Sequence, residues 1–402
     1  PIYGDKEAPM NLHHTFSDWI TGKMKFKKMK TQVAQIQMKQ EKMDFNQSKN
    51  EPAMYYNKKS KLTVIKWVDD IVCRGHRKHS TKFWEACSKR FELRSWGFVE
   101  YNSPRTFCSK RISKIKKDNS VWYTIDQSED IKRFLSDNDI LGYVPVSSPM
   151  TTRKELYSDN RLLSASETEW VQSIMGSLQY YATETRFDIA AAVNIVAQKL
   201  SAPTEGTKKA LKRILAYVVG TVDTKLEVPR VTKNTWVSYA DSDHAGGRKC
   251  GDPKSRSGIM LLWNGMPYHW RSNKQPTTAM SSAAAEIVAL SECAKDVKLR
   301  MFIAEEAGVS VKKPYQINVD NKSAISFQKC MNPDSKLKGV FDSREAWVQD
   351  LIDTSVIKAV KIGTEKNLAD MLTKPLEAKV RNELDKELWR QLQAAMAPLG
   401  GK

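Results

Sequence analysis

An α/β fold is the class this sequence predicts, and three observations carry it. From residue 234 onward, three strand-like runs, TWVSYADSD, GIMLLW and MPYHWRS, follow one another, the last two joined by Asn264-Gly265. A long Ala-rich segment, AAAEIVALSECAKDVKLRMFIAEEAG, then reads as a helix ending at Gly308. Beyond it, strand-like and helix-like stretches alternate: QINVDN (316–321), a helix over 322–329, VIKAVKIG (356–363), and a final helix opened by LADMLTKPL before Pro375. Three antiparallel strands followed by alternating helices and strands describe a mixed sheet flanked by helices.

Each element has a local reason. The stretch 23–44 is rich in Lys, Met and Gln without a clean apolar face, and reads as a polar insertion. LTVIKWVDDIV (62–72) looks like two short strands around an acidic turn, residues 81–95 look helical, and Pro104 breaks the next pattern. Residues 147–168 read as a polar linker into helices over 168–182 and 187–200, the second ending before Pro203. In 208–220, Leu211, Ile214, Leu215 and Val218 share one face and Gly220 is the stop. Asn264-Gly265 between apolar, aromatic runs is a strong hairpin signal, because both turn residues need positive φ. Ser281 or Ser282 is placed to cap the long helix.

With 402 residues, roughly two to three domains are expected. The net charge is +19, and residues 1–120 carry 26 Lys/Arg against 12 Asp/Glu. A basic block beside a nearly balanced remainder points to a polyanion, with a solubility surface as the alternative. No apolar run approaches the roughly 18 residues of a membrane span and no signal-peptide pattern opens the chain, so an integral membrane or secreted protein is not expected. Cys73, Cys87, Cys108, Cys250, Cys293 and Cys330 form no CxxC pair, and the six histidines form no HExxH, so structural zinc and a disulfide scaffold are not expected either. An intracellular setting, cytoplasmic or nuclear, is the expectation.

Four acids fall where the predicted topology gathers them. Asp241 lies in the first strand, Glu286 in the first turns of the long helix, Asp320 at the end of the fourth strand, and Asp370 at the start of the last helix. Such a set suits two-metal phosphodiester hydrolysis, in which carboxylates hold two Mg²⁺, or Mn²⁺, about 4 Å apart. Four solvated acids among the 46 are the alternative, and Asp243 and Asp353 read as supporting or surface acids. Arg248, Lys249, Arg256, Arg271 and Lys274 flank this region as candidate phosphate contacts, with ordinary surface cations as the alternative for each. Trp263, Tyr268 and Trp270 alternate on a hairpin, so at least one of its faces is expected in the core. His244 and His269 read as structural.

YADSDHAGG (239–247), SRSGIMLLWNGMPYHWRSNKQ (255–275), SSAAAEIVALSE (281–292), VDNKSAI (319–325) and NLADMLTKPL (367–376) together resemble the ribonuclease H domain of copia-type retrotransposon Pol polyproteins. MGSLQYYATETRFDIAAAVN (175–194) and KRILAYVVGT (212–221) resemble the segment joining polymerase to nuclease in those elements. WVDD (67–70) resembles the polymerase's Tyr-x-Asp-Asp turn, and PIYGDKEAP (1–9) the stretch before it.

The resemblance implies a ribonuclease H-like mixed five-stranded sheet with flanking helices (231–380), preceded by an incomplete α+β polymerase palm and thumb (1–146) and a helical connection (147–230), with 381–402 as a tail. It implies that Asp241, Glu286, Asp320 and Asp370 are the catalytic, metal-holding carboxylates, that Mg²⁺ is the cofactor, and that the substrate is the RNA of RNA–DNA hybrids, with other Pol or Gag products as further partners. Asp69 and Asp70 would be a remnant polymerase metal site. The polymerase's third carboxylate comes from a strand preceding PIYG in the family, so polymerase activity is not expected of these residues alone. The sequence departs from the family in lacking a His across 337–351, in carrying Ala283 and Ala284 before the catalytic Glu, and in having Phe187 for a Pro. A relic that binds nucleic acid without cutting it, and a reverse transcriptase completed by another chain, are the alternatives.

Overall fold

In the computed structural model, residues 8–23, 43–94, 96–117, 120–230, 234–248, 251–321 and 343–396 are described. Chain contacts divide the protein into two compact units, Pro1–Ser113 with Lys298–Ser310, and Lys114–Val297 with Val311–Lys402. The class is mixed α/β, with several sheets.

The first unit opens with α1 (Ala8–Ile20), followed by β1 (Asn46–Gln47), β2 (Met54–Asn57), β3 (Leu62–Trp67), β4 (Asp70–Arg74) and α2 (Arg77–Arg90). The four strands form an antiparallel sheet in sequence order. Phe16, Trp19 and Ile20 of α1 pack with Tyr55, Val64 and Phe83 into its core. The acidic turn expected in WVDD is present: Trp67 pairs with Asp70 across it, and Val68 takes a φ of 51°. A further hairpin joins β5 (Arg105–Phe107) to β6 (Lys110–Lys117).

The second unit contains β7 (Ser120–Asp126), α3 (Ser128–Asp137), α4 (Ala165–Glu184), α5 (Ala190–Ala197) and α6 (Glu205–Gly220), then β8 (Leu226–Pro229), which pairs with β7. Ser164 and Thr204 each close a capping box, starting α4 and α6 where their sequences become amphipathic. Next come β9 (Trp236–Asp243), β10 (Arg256–Trp263), β11 (Met266–Lys274), α7 (Ser282–Glu306), β12 (Tyr315–Val319), α8 (Ser343–Asp353), β13 (Ile357–Lys361) and α9 (Ala378–Met396). The last residues of α7 belong to the first unit, where Glu306 accepts hydrogen bonds from the Lys49 backbone and the Asn50 amide, each 3.1 Å.

The sheet that positions the candidate site has five strands in the order β11-β10-β9-β12-β13. The first three are antiparallel, and β12 runs parallel to both its neighbours. Asn264 and Gly265 both take positive φ, 50° and 79°, as the hairpin requires. The Ser281 hydroxyl accepts from Ala284 N at 3.1 Å and starts α7, and Gly308 follows its end with a φ of 75°.

Several elements differ from expectation. Leu368–Leu372 is a short 3₁₀ turn rather than the opening of an α-helix. Asn367 accepts from Ala369 N at 3.3 Å, and Pro375 follows within a few residues, leaving no room to propagate. The final α-helix is α9, which buries Leu384, Leu392 and Ala395. The strand KRISKIKK of β6 and helix α1 were not anticipated, because Lys and His residues obscure their apolar spacing. Nearly all of the 23–44 insertion and the helix expected over 322–329 lie outside the described residues.

Candidate metal centre

Burial of β9 on both faces makes an acid in it conspicuous: Ser238 to Asp243 are all buried, and Asp241 is 3% exposed. Asp320 directly follows β12, whose Asn318 is level with Tyr239 of β9. Two residues further along these parallel strands, Asp320 comes level with Asp241. Glu286, in the second turn of α7, faces the same point. One carboxylate oxygen from each of Asp241, Glu286 and Asp320 lies within 4.8 Å of the others.

Asp370 joins through Asp241, whose carboxylate it adjoins within hydrogen-bonding reach. The turn that carries it is held by Asn367, whose amide donates to Ala240 O at 3.2 Å. It also needs Gly258, the β10 residue paired with Asp241. A Cβ at Gly258 would stand 2.6 Å from both Ala369 O and Thr373 Cγ2. The Thr373 hydroxyl donates to Asp241 Oδ2 at 2.6 Å, and Lys374 Nζ contacts Asp370 Oδ2 at 2.8 Å.

The electrostatics are those of crowded, buried like charges. Burial, then repulsion from Asp241 and Asp320, pushes the Glu286 carboxyl up to about 9. Burial and Asp241 push Asp370 up to about 7 against the opposing pull of Lys374. Glu286 Oε2 and Asp370 Oδ1 are buried without a hydrogen-bond partner. Orphaned carboxylate oxygens in an all-oxygen cluster fit a hard divalent cation such as Mg²⁺ or Mn²⁺. Asp243 takes a different part: it pairs with the half-buried Arg153 and accepts from Arg256 N at 2.6 Å, and burial lifts it to about 6. Asp353 accepts from Gln349 at 2.7 Å.

Among the candidate phosphate contacts, Arg256 is a correction. It is 2% exposed, and its guanidinium donates to Ser272 O at 3.2 Å and to Asn194 Oδ1 at 3.3 Å, so it packs the sheet instead of meeting a ligand. Arg248 is exposed, and Lys249 lies outside the described residues. Arg271 pairs with Asp296 at 3.1 Å, as does His269, and Lys274 pairs with Asp252 at 2.7 Å. Trp270 is structural: its Nε1 donates to Ala182 O at 2.7 Å, and its ring meets Phe187 edge-on. In the first unit, the Asp70 carboxylate accepts from Cys108 N at 2.7 Å. Among the described residues, neither Asp69 nor Asp70 belongs to a group of three potential ligands.

Thr373, Lys374, Gly258 and Asn367 are the residues that sequence reasoning passed over. Thr373 and Lys374 carried a signal, since they follow Asp370 by three and four positions, the spacing that brings side chains together across a helical turn.

No family model matches this chain. It is 27% identical over 397 residues to the retrovirus-related Pol polyprotein from transposon TNT 1-94 of Nicotiana tabacum, covering 96% of this chain and 27% of that polyprotein. It is 32% identical over 238 residues to the uncharacterized mitochondrial protein AtMg00810 of Arabidopsis thaliana, covering 59% of this chain and 93% of that protein. Among solved structures, LC11-RNase H1 isolated from compost aligns with 39% of this chain and 99% of its own length, at 19% identity and a TM-score of 0.27.

Proposed function

We propose, from a chain that is 27–29% identical over most of its length to retrovirus-related Pol polyproteins of plant copia-type transposons, that its carboxylate cluster is the centre of a ribonuclease H that cuts the RNA of RNA–DNA hybrids. The observation that carries the proposal is the convergence of Asp241, Glu286 and Asp320, from three separate elements, onto a span of 4.8 Å, with Asp370 adjoining. In the proposed division of labour, 231–380 is the nuclease, 1–146 a polymerase palm and thumb segment and 147–230 the helical connection, while 381–402, expected as a tail, includes most of the packed helix α9.

Asp241, Glu286, Asp320 and Asp370 would hold two Mg²⁺ or Mn²⁺ ions, which when bound supply a water of lowered pKa and stabilise the leaving 3′ oxygen. Asp241, which lies beside both Glu286 and Asp370, would be shared among the ligands of this set. Thr373 orients its Oδ2, while the Ser242 backbone N–H donates to Glu286 and holds that carboxylate beside β9. Asp320 is the partly exposed member, so the scissile phosphate approaches from its side. The exposed Arg248 is the candidate for gripping a neighbouring phosphate, and the basic first 120 residues favour a polyanionic partner.

The test is cleavage of an end-labelled RNA–DNA hybrid by the full chain with Mg²⁺, with EDTA, and as Asp241→Asn. Cutting that needs both the metal and Asp241 supports the assignment. Unchanged cutting by a folded Asp241→Asn protein, or none by the folded wild type, overturns it.

A further inference from the structure

Lys374 is the cation paired with a carboxylate of the cluster among the described ion pairs, whereas Lys361 Nζ donates to the Asp320 backbone oxygen at 2.6 Å. The Lys374 ammonium lies 2.8 Å from Asp370 Oδ2. A lysine ammonium paired with a carboxylate carries its positive charge at neutral pH. The backbone keeps it there: Lys374 follows Thr373, which is fully buried and tied to Asp241, and precedes Pro375. Asp370 meanwhile has a second, buried oxygen with no partner, so half of its carboxylate is satisfied by the lysine and half is not.

A divalent ion using Asp370 must therefore compete with a tethered monovalent one, whereas the set formed by Asp241, Glu286 and Asp320 has no lysine or arginine paired to it among the described ion pairs. We propose that Lys374 acts as the built-in counter-cation of Asp370, so that without nucleic acid the chain takes one divalent ion tightly at Asp241, Glu286 and Asp320, and a second only by displacing the lysine. This rests on the metal-centre reading above and adds the order and selectivity of filling. No bond is made or broken in the step, which exchanges one cation for another on a carboxylate.

The experiment is a Mn²⁺ titration of the full chain without nucleic acid, with free Mn²⁺ followed by its paramagnetic resonance signal. The wild type should bind one ion tightly and a second weakly. Lys374→Met should tighten the second ion about tenfold, an ordinary size for coupling between two sites, and leave the first little changed. Lys374→Arg, which keeps the charge, should behave like the wild type, and Asp370→Asn should lose the second ion in either background. If Lys374→Met does not fold by circular dichroism, Lys374→Gln takes its place. Superimposable isotherms for wild type and the neutral variant overturn the role of Lys374 while leaving the metal centre standing. Failure of the folded wild type to bind any ion overturns the metal centre and this inference with it.

Discussion

The Thr373 hydroxyl donates a 2.6 Å hydrogen bond to Oδ2 of Asp241, across 132 residues of chain. The bond fixes one oxygen of the central carboxylate and leaves the other for a ligand. Partners of this kind typically contribute about 10–100-fold in metal affinity. Thr373→Val keeps the volume and removes the donor, so Mn²⁺ affinity should fall by about that factor with little change in thermal midpoint. Equal affinity in the two proteins would show that Asp241 holds its orientation unaided.

Gly258 faces Asp241 across the β9–β10 ladder, with the 3₁₀ turn packed directly over it. In Gly258→Ala, the new methyl meets backbone and a short, anchored side chain, neither of which can swing away. Overpacking of this kind costs about 1–3 kcal/mol. Urea denaturation should show that loss together with weakened Mn²⁺ binding, because the displaced turn carries Asp370. A loss of stability with metal binding intact would mean that the turn re-seats without moving its carboxylate.

Without metal, the cluster is a liability that grows with pH. Glu286 is lifted from its ordinary 4.5 to about 9, first by burial and then by Asp241 and Asp320, and Asp370 from 3.8 to about 7. A carboxyl raised on folding contributes stability that is fully present below its unfolded pKa and is lost as pH rises through the folded one, at about 1.4 kcal/mol per unit. Between pH 5 and 8 in EDTA the wild type should therefore lose stability relative to Glu286→Gln. The comparison is of urea midpoints, and parallel pH profiles for the two proteins would contradict it. Added Mg²⁺ should reverse the trend in the wild type alone.

Asp188 is the hub of a buried network in the second unit. It accepts from Arg186 at 2.8 and 2.9 Å and from the Tyr217 hydroxyl at 2.9 Å, while Arg381 of α9 donates to its backbone carbonyl at 3.0 Å. Arg186 and Arg381 are 1% and 7% exposed, so Asp188→Asn leaves buried guanidinium charge poorly compensated. The expected loss is about 3–5 kcal/mol by chemical denaturation. A loss below 1 kcal/mol would mean that water reaches the network.

The proposed phosphate grip, Arg248, and the buried Arg256 should respond differently to substitution. Arg248→Gln should lower the salt slope of hybrid binding by about 0.9, one phosphate's worth. Arg256→Gln should leave the slope unchanged and lower stability, because it breaks the bonds to Ser272 and Asn194. Equal slope changes in both variants would refute this assignment.

Much of the fold was legible because local chemistry dictated it. Asn264-Gly265 accepts the two positive φ values of a tight hairpin, and the face formed by Leu211, Ile214, Leu215 and Val218 is buried as its spacing requires. Helix α9 was not legible, since Glu383, Lys386 and Arg390 engage in ion pairs around a narrow stripe that includes Leu384 and Leu392. Strand β6 was hidden in the same way, because four of its eight residues are lysines.

The sequence by itself determined which acids are available and, for three of them, on which kind of element they sit: Asp241 in a strand, Glu286 near a helix start, Asp320 just after a strand, whereas Asp370, expected to open a helix, sits in a short 3₁₀ turn. Residue type and spacing set those features, and both are local. The tertiary structure decided what each charged side chain faces. It brought Asp241, Glu286 and Asp320 together through the parallel β9–β12 register, seated Lys374 against Asp370, and buried Arg256 under the sheet, where it packs rather than binds. Those outcomes depend on long-range register and on which neighbours exclude water, and neither is encoded within a few residues of the side chain concerned.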